Sequence, residues 1–159
     1  MARFEPRNPD FRRIATDTFS RQQAMRTLGF SIARMEPGEV DLAMDYSPAL
    51  TQQNGFVHAG VITTGLDTAC GIAAFTLMPP GSDILTVEFK TNLLAPASGT
   101  RFIFRAEVIK PGRTLTVSEA RAYAHRDGSE HLIATMTGTL MAMQRREPAS
   151  ASRPALSPA

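Results

Sequence analysis

Asp67 stands where a carboxylate is costly to keep. Its neighbours Leu66, Ala69, Cys70, Ile72, Ala73 and Ala74 belong to the most apolar run of this 159-residue chain. Burying an ionised carboxylate costs several kcal/mol unless it finds a partner, or its pKa rises. Asp67 is therefore either a structural acid satisfied by a hydroxyl or backbone N–H, or a base or nucleophile tuned by burial. Just upstream lies Asn54-Gly55-Phe56-Val57-His58-Ala59-Gly60. Ala59 and Gly60 fall at the start of the helix that would carry Asp67. The first helical turn has free N–H groups and a partial positive charge, which suit a developing oxyanion. Gly60 lets a carbonyl approach the backbone, although tight packing alone would also call for glycine. His58 reads first as a cap or packing residue, and Asn54, in an Asn-Gly pair, as a turn residue. Cys70 has no histidine near it in sequence and reads as a small buried hydrophobe.

Spacing adds a constraint. Seven residues separate Gly60 from Asp67, about 10 Å along a helix. A carbonyl held at the helix start is then out of reach of Asp67 of the same chain, which must come within about 3 Å of the reacting carbon or its water. If both act on one substrate, two chains supply them through antiparallel helices. A homodimer is expected.

The flanking pattern describes what positions these residues. Residues 1–9 are polar with two prolines and read as a loose arm. Asp10–Leu28 has helical spacing and closes at Gly29. Residues 30–36 read as a short strand and Glu36-Pro37-Gly38-Glu39 as a turn. Val40, Leu42, Met44 and Tyr46 alternate as a strand with one wet face. Gly60–Met78 reads as a helix apolar nearly all round, hence buried, and Pro79-Pro80-Gly81 stops it. Four strands follow. Leu85, Val87 and Phe89 alternate in the first, with Thr86 on the opposite parity, away from the main core. Phe102–Val108 is the second, Thr114–Ala124 the third, with a bulge near Glu119 where the apolar parity slips. Asp127-Gly128 marks a hairpin into His131–Met143. Residues 10–143 thus form one α+β domain, an antiparallel sheet wrapped on a central helix. Residues 144–159, rich in Arg, Pro, Ala and Ser, read as a disordered tail.

Composition excludes several classes. The net charge of +2 comes without a dense basic block, so no nucleic-acid partner is expected. One cysteine rules out an internal disulfide or a zinc site of several thiolates. His58, His125 and His131 lack metal-ligand spacing, so no metal is expected; no Walker motif or GxGxxG fingerprint is present, and no other cofactor is expected. The apolar stretch 57–78 is interrupted by Thr63, Thr64, Asp67 and Thr68, against a membrane span. The N-terminus mixes Arg3, Arg7, Arg12 and Arg13 with Glu5, Asp10 and prolines, and has no signal-peptide apolar run; a cytoplasmic location is expected.

The segment Asn54…His58-Ala59-Gly60…Leu66-Asp67-Thr68-Ala69 resembles the HGG-x6-D signature of the PaaI-like hotdog acyl-CoA thioesterases. The runs Thr86–Ala97 and Lys110–Leu115 are similar to the strand and turn that follow it there. The likeness spans about residues 28–143 and implies a hotdog fold acting on acyl-CoA as a dimer or dimer of dimers. It also implies roles. Asp67 would be general base or nucleophile, and Gly60 N–H would polarise the carbonyl. His58 and Asn54 would hold the loop and thioester, and Thr86 would orient water. Glu88, Leu94, Pro96, Gly112, Arg113 and Thr114 would contact CoA, with Arg113 suited to its phosphates. The chain departs from the signature at Ala59, where the first glycine is expected, and at Thr86, where relatives often have serine. Neither a His-Phe-Pro dehydratase loop nor an Asp-x4-His hydratase motif occurs, since Ile72 stands five residues after Asp67. A non-catalytic acyl-CoA- or lipid-binding dimer is the alternative; it has no need of a buried acid. A purely structural oligomerisation domain is a further reading.

Overall fold

Six strands form a single antiparallel sheet in the order β1-β2-β4-β5-β6-β3, with one long helix in the connection between β2 and β3. The computed structural model describes residues 3–144. The strands are β1 (Phe30–Glu36), β2 (Glu39–Asp45), β3 (Ser82–Leu93), β4 (Arg101–Lys110), β5 (Leu115–Arg126) and β6 (Ser129–Gln144). The helices are α1 (Phe11–Ser20), α2 (Gln23–Leu28) and α3 (Ala59–Phe75), with one 3-10 turn at Pro48–Leu50. The sheet curves around α3, which packs on β2, β3, β4, β5 and β6. This is the expected α+β hotdog arrangement, with the N-terminal helices at its flank.

Several expectations need correction. The single helix expected over Asp10–Leu28 is two: Gln22 takes an extended ψ of 103°. The break lets Phe19 and Met25, on separate helices, both reach the core. Gly29 ends α2 with a φ of 76°, as its composition suggested. Helix α3 ends at Phe75, not Met78. There Thr76 Oγ1 donates to Ala73 O at 2.6 Å and accepts from Gly38 N–H at 2.7 Å, which ties the helix end to the β1–β2 turn.

The strand β5 has no bulge at Glu119, which pairs regularly with Glu107 and Thr137. The irregularities lie in the neighbouring strands, at Ile109 of β4 and Ile133 of β6. Burial alternates without a break from Thr116 to Ala124; the apparent slip arose because Leu115 and Val117 face outward beside small inward residues. In β3 the apolar set is not core. Leu85, Val87 and Phe89 are 53%, 53% and 44% exposed. A shift at Val87 splits this strand, and β3 is an edge strand with β6 on one side only. Within the expected N-terminal arm, Phe4 packs against the core and Asn8 is buried. The expected C-terminal tail, Gln144 excepted, lies outside the described residues.

Close approach of α3 to the sheet depends on Gly65. A Cβ there would lie 2.7 Å from ring atoms of both Phe104 and Phe30, which pack edge to face at 5.3 Å. Gly65→Ala must displace both rings. It is expected to destabilise the fold by about 1–3 kcal/mol, the usual range for overpacking, as read from the midpoint of urea unfolding.

Candidate active site

Helix α3 is buried along most of its circumference, as a helix apolar all round requires. One stripe is not covered. Gly60 is exposed and Thr63, Thr64, Asp67 and Gly71 are partly so. Their spacing of three to four residues places them on one helix face. Asp67 sits midway along this stripe, so its flanks are apolar and its head faces an opening.

The partner of Asp67 is Thr86. The Thr86 hydroxyl donates to Asp67 Oδ1 at 2.8 Å. The inward face of β3 carries Thr86 to this position, opposite Leu140 of β6. Burial pushes the Asp67 carboxyl above its ordinary pKa, and the Thr86 hydrogen bond offsets part of that rise. Asp41 is also raised by burial, but Arg34 and Arg105 pull it back. Asp67 has no such cation beside it. A partly buried carboxylate held by one neutral hydroxyl is suited to accept a proton. Burial, followed by the charges of Asp67 and Glu119, pushes the Cys70 thiol up to about 12. At neutral pH it is not a nucleophile.

The start of α3 forms a second station. His58 is its N-cap, and its Nδ1 accepts from Gly60 N–H at 2.9 Å. The expected carbonyl donor is thus already directed at an imidazole. His58 N–H donates to Leu50 O and Val57 N–H to Ala97 O, which fasten the loop to its surroundings. Asn54 is exposed, and its backbone N–H donates to the Gln52 side chain.

Beside this station lies a cavity of about 500 Å³, lined by Phe56, Ala59, Ile62, Leu94, Pro96 and Ile133 among others. Leu94 and Pro96 were singled out from the sequence. Phe56, Ile62 and Ile133 were not, because nothing local marks which apolar residues border a cavity. Leu94 and Ala95 N–H both bond Ile133 O, which brings the segment after β3 across to β6.

The remaining sequence-derived residues lie elsewhere. Glu88 accepts from Thr139 Oγ1 on the outer face of the sheet, away from α3. Gly112, Arg113 and Thr114 form the β4–β5 turn, just before Leu115. Leu115 is in register with Met141, which faces Leu85 next to Thr86. This turn therefore shares the Asp67–Thr86 end of the sheet, whereas Asn54, His58, Gly60, Leu94 and Pro96 share the other. Gly112 admits no side chain, since a Cβ would fall 1.9 Å from Leu115 O. Arg113 is exposed and makes no ion pair among the described residues. Among those residues no three His, Cys, Asp or Glu side chains converge as a metal site would require, and no helix is long and apolar enough to cross a membrane.

Comparison with known proteins identifies the family and the fold. Residues 54–130 match the Thioesterase superfamily. A thioesterase family protein from Silicibacter pomeroyi is 59% identical, covers 84% of this chain and 98% of its own, and superposes with a TM-score of 0.83. The medium/long-chain acyl-CoA thioesterase YigI of Salmonella typhimurium is 26% identical over 73% of this chain and 83% of its own length. The E. coli PaaI protein of the phenylacetic acid degradation operon shares the fold, with a TM-score of 0.77 over 86% of this chain and 95% of its own, at 16% identity. The chain belongs to the thioesterase superfamily and has its hotdog fold. It is a thioester hydrolase.

The raised pKa of Asp67 has a consequence for stability. An acid raised in the folded state favours the protonated form there, so ionising Asp67 costs stability as pH rises through the raised value. At lower pH that cost is absent. Asp67→Asn keeps an acceptor for Thr86 and removes the charge. It is expected to raise Tm relative to wild type at pH 7–8, a gain that shrinks toward the ordinary carboxylate range of about pH 4. Thermal unfolding of both proteins across pH measures this.

Proposed function

We propose that this thioesterase hydrolyses acyl-CoA, with an aryl or medium-chain acyl group, to the free acid and CoA as a homodimer. The observation that carries the reading is Asp67: a basic carboxylate, hydrogen-bonded to Thr86, open on the uncovered stripe of α3. Acting through water, Asp67 takes a proton as the water oxygen bonds to the thioester carbon. The tetrahedral oxyanion then collapses, the C–S bond breaks and CoA leaves as the thiolate. Acting directly, Asp67 attacks that carbon, CoA leaves, and water cleaves the resulting anhydride. Both routes use the same carboxylate in nearly the same place.

The carbonyl would lie against the start of α3 from the partner protomer, near His58, Ala59 and Gly60, with Asn54 on the preceding loop. Two observations favour such pairing. The uncovered stripe of α3 runs beside β3, and β3 is a 12-residue edge strand with Val87, Phe89 and Leu93 half exposed. A long apolar edge is one that folded proteins cover. Pairing two β3 edges about a two-fold axis would cover it, set the α3 helices antiparallel, and bring Asp67 of each near the helix start of the other. The pantetheine arm would run past Leu94 and Pro96. Glu88 and the Gly112-Arg113-Thr114 turn would meet the nucleotide end, where the Arg113 guanidinium matches phosphate. Two such dimers would associate further as a dimer of dimers.

Thiol release from a panel of aryl and fatty acyl-CoAs tests the reaction. Wild type is expected to release CoA, and folded Asp67→Asn to lose at least about 100-fold in kcat. No release from any member, or equal release by the variant, contradicts the reading. Dimerisation is tested apart from chemistry with Phe89→Asp, followed by sedimentation and circular dichroism. A folded, inactive monomer is expected; a fully active monomer contradicts the shared site.

A further inference from the structure

Helix α3 carries three glycines, and contacts within the chain account for two of them. A Cβ at Gly65 would lie 2.7 Å from the rings of Phe104 and Phe30, and one at Gly60 would stand 3.1 Å from Nδ1 of His58. A Cβ at Gly71 would meet nothing within 4 Å. Its φ is not positive, so no left-handed turn calls for glycine there. Gly71 lies inside the helix, four residues before its end at Phe75. Glycine at such a position costs helix stability that alanine would restore. The surroundings of Gly71 supply a reason for it. It is partly exposed on the uncovered stripe, one helical turn past Asp67. The inner face of β3 runs the same way, from Thr86, which holds Asp67, through Ile84 to Ser82. Helix and strand both arrive at a cavity of about 560 Å³ bordered by Phe75, Ser82 and Ile14, with Arg13, Asp17 and Asp83 on its rim. From Asp67 to Phe75 is eight residues, about 12 Å along the helix.

We propose that Gly71 is a specificity-determining residue: the acyl group is a straight chain of medium length that lies over Gly71 and ends at Phe75. This rests on the acyl-CoA hydrolysis reading above and chooses between its two acyl classes. The walls favour the acyl side of the thioester over the pantetheine side. Backbone N–H and C=O groups in mid-helix are already bonded within α3. The amides of pantetheine would find no partner over Gly71, whereas methylenes need none. The missing side chain lets the chain lie directly on the helix backbone. The charged rim then sets its length. A longer chain would carry its end among Arg13, Asp17 and Asp83, where apolar surface gains little burial. A shorter chain, or a single aryl ring, stops before Phe75 and leaves that end of the groove unfilled.

Steady-state kinetics of wild type, Gly71→Ala and Gly71→Leu on acetyl-, octanoyl-, palmitoyl- and phenylacetyl-CoA test this, alongside thermal unfolding and sedimentation without substrate. Wild type is expected to have its highest kcat/KM on octanoyl-CoA. In Gly71→Leu the ratio of kcat/KM for octanoyl-CoA to that for acetyl-CoA should fall at least about 10-fold, the lower end of what misfitted methylenes cost in an apolar pocket. Gly71→Ala adds one methyl and should lower the same ratio by a smaller factor; it carries the test if leucine disrupts the fold. Without substrate, Gly71→Ala should keep the wild-type association state and raise Tm by about 2–4 °C, as alanine does at an open helix position. A lower Tm or an altered association state would mean that a neighbouring chain fills the space over Gly71, and would overturn the proposal. An active wild type that prefers phenylacetyl- or palmitoyl-CoA would overturn it too, as would variants whose octanoyl-to-acetyl ratio matches wild type. A wild type inactive on every member of the panel would sink the acyl-CoA reading and this proposal together.

Discussion

The close contact between α3 and the concave face of the sheet is the constraint from which the rest follows. Small residues permit it. Gly65 lets the helix backbone approach the edge-to-face pair of Phe30 and Phe104, and Ala69, Ala73 and Ala74 are fully buried against the strands. At that separation the side chain of Asp67 spans the gap to Thr86 on β3. A bulkier helix face would lift α3 and part the two. The carboxylate therefore depends for its partner on glycine and alanine positions that have no chemistry of their own.

That packing also decides what is left open. The sheet covers α3 on all but one stripe, and the stripe lies beside β3, the strand whose outer edge has no neighbour. Residues that could do chemistry gather there because it is the one part of the helix with access. They fall into two stations. Asp67 and Thr86 share one end of the sheet with the β4–β5 turn, while His58, Gly60 and the apolar cavity occupy the other. The helix itself keeps them apart, since its rise per residue cannot be shortened. A thioester that needs both stations needs two chains, and the two-fold pairing proposed from the exposed edge of β3 answers the same requirement.

Electrostatics separates Asp67 from Asp41, Glu39 and Glu130. On the outer face Asp41, Glu39 and Glu130 stand among Arg34 and Arg105, and their charge is compensated there. Asp67 has only a hydroxyl. The fold therefore keeps this carboxylate without a neighbouring cation in a partly dry setting, at a cost in stability.

Much of this was legible in the chain itself. Strand alternation in 40–46 and 102–108, the turn chemistry at Pro37-Gly38 and Asp127-Gly128, and the apolar run around Asp67 are local signals, and each element they mark is present. Asp67 was legible as a candidate for the same reason, since a charge inside an apolar helix stands out without coordinates. Tertiary structure decided what depends on partners distant in sequence. Leu85, Val87 and Phe89 have the alternation of core residues, but only the strand order makes β3 an edge and exposes them. The parity slip in β5 looked like a bulge, whereas the bulges belong to β4 and β6, because register is a property of a pair of strands. The break at Gln22 comes from the need of Phe19 and Met25 to reach one core by separate routes. The hand-off of Gly60 N–H to His58 was equally hidden, because a side-chain rotamer two residues away is selected by the loop that Leu50 and Ala97 hold in place. Periodicity reports what one segment prefers; which hydrogen bonds are taken and which faces stay open is settled only when the segments meet.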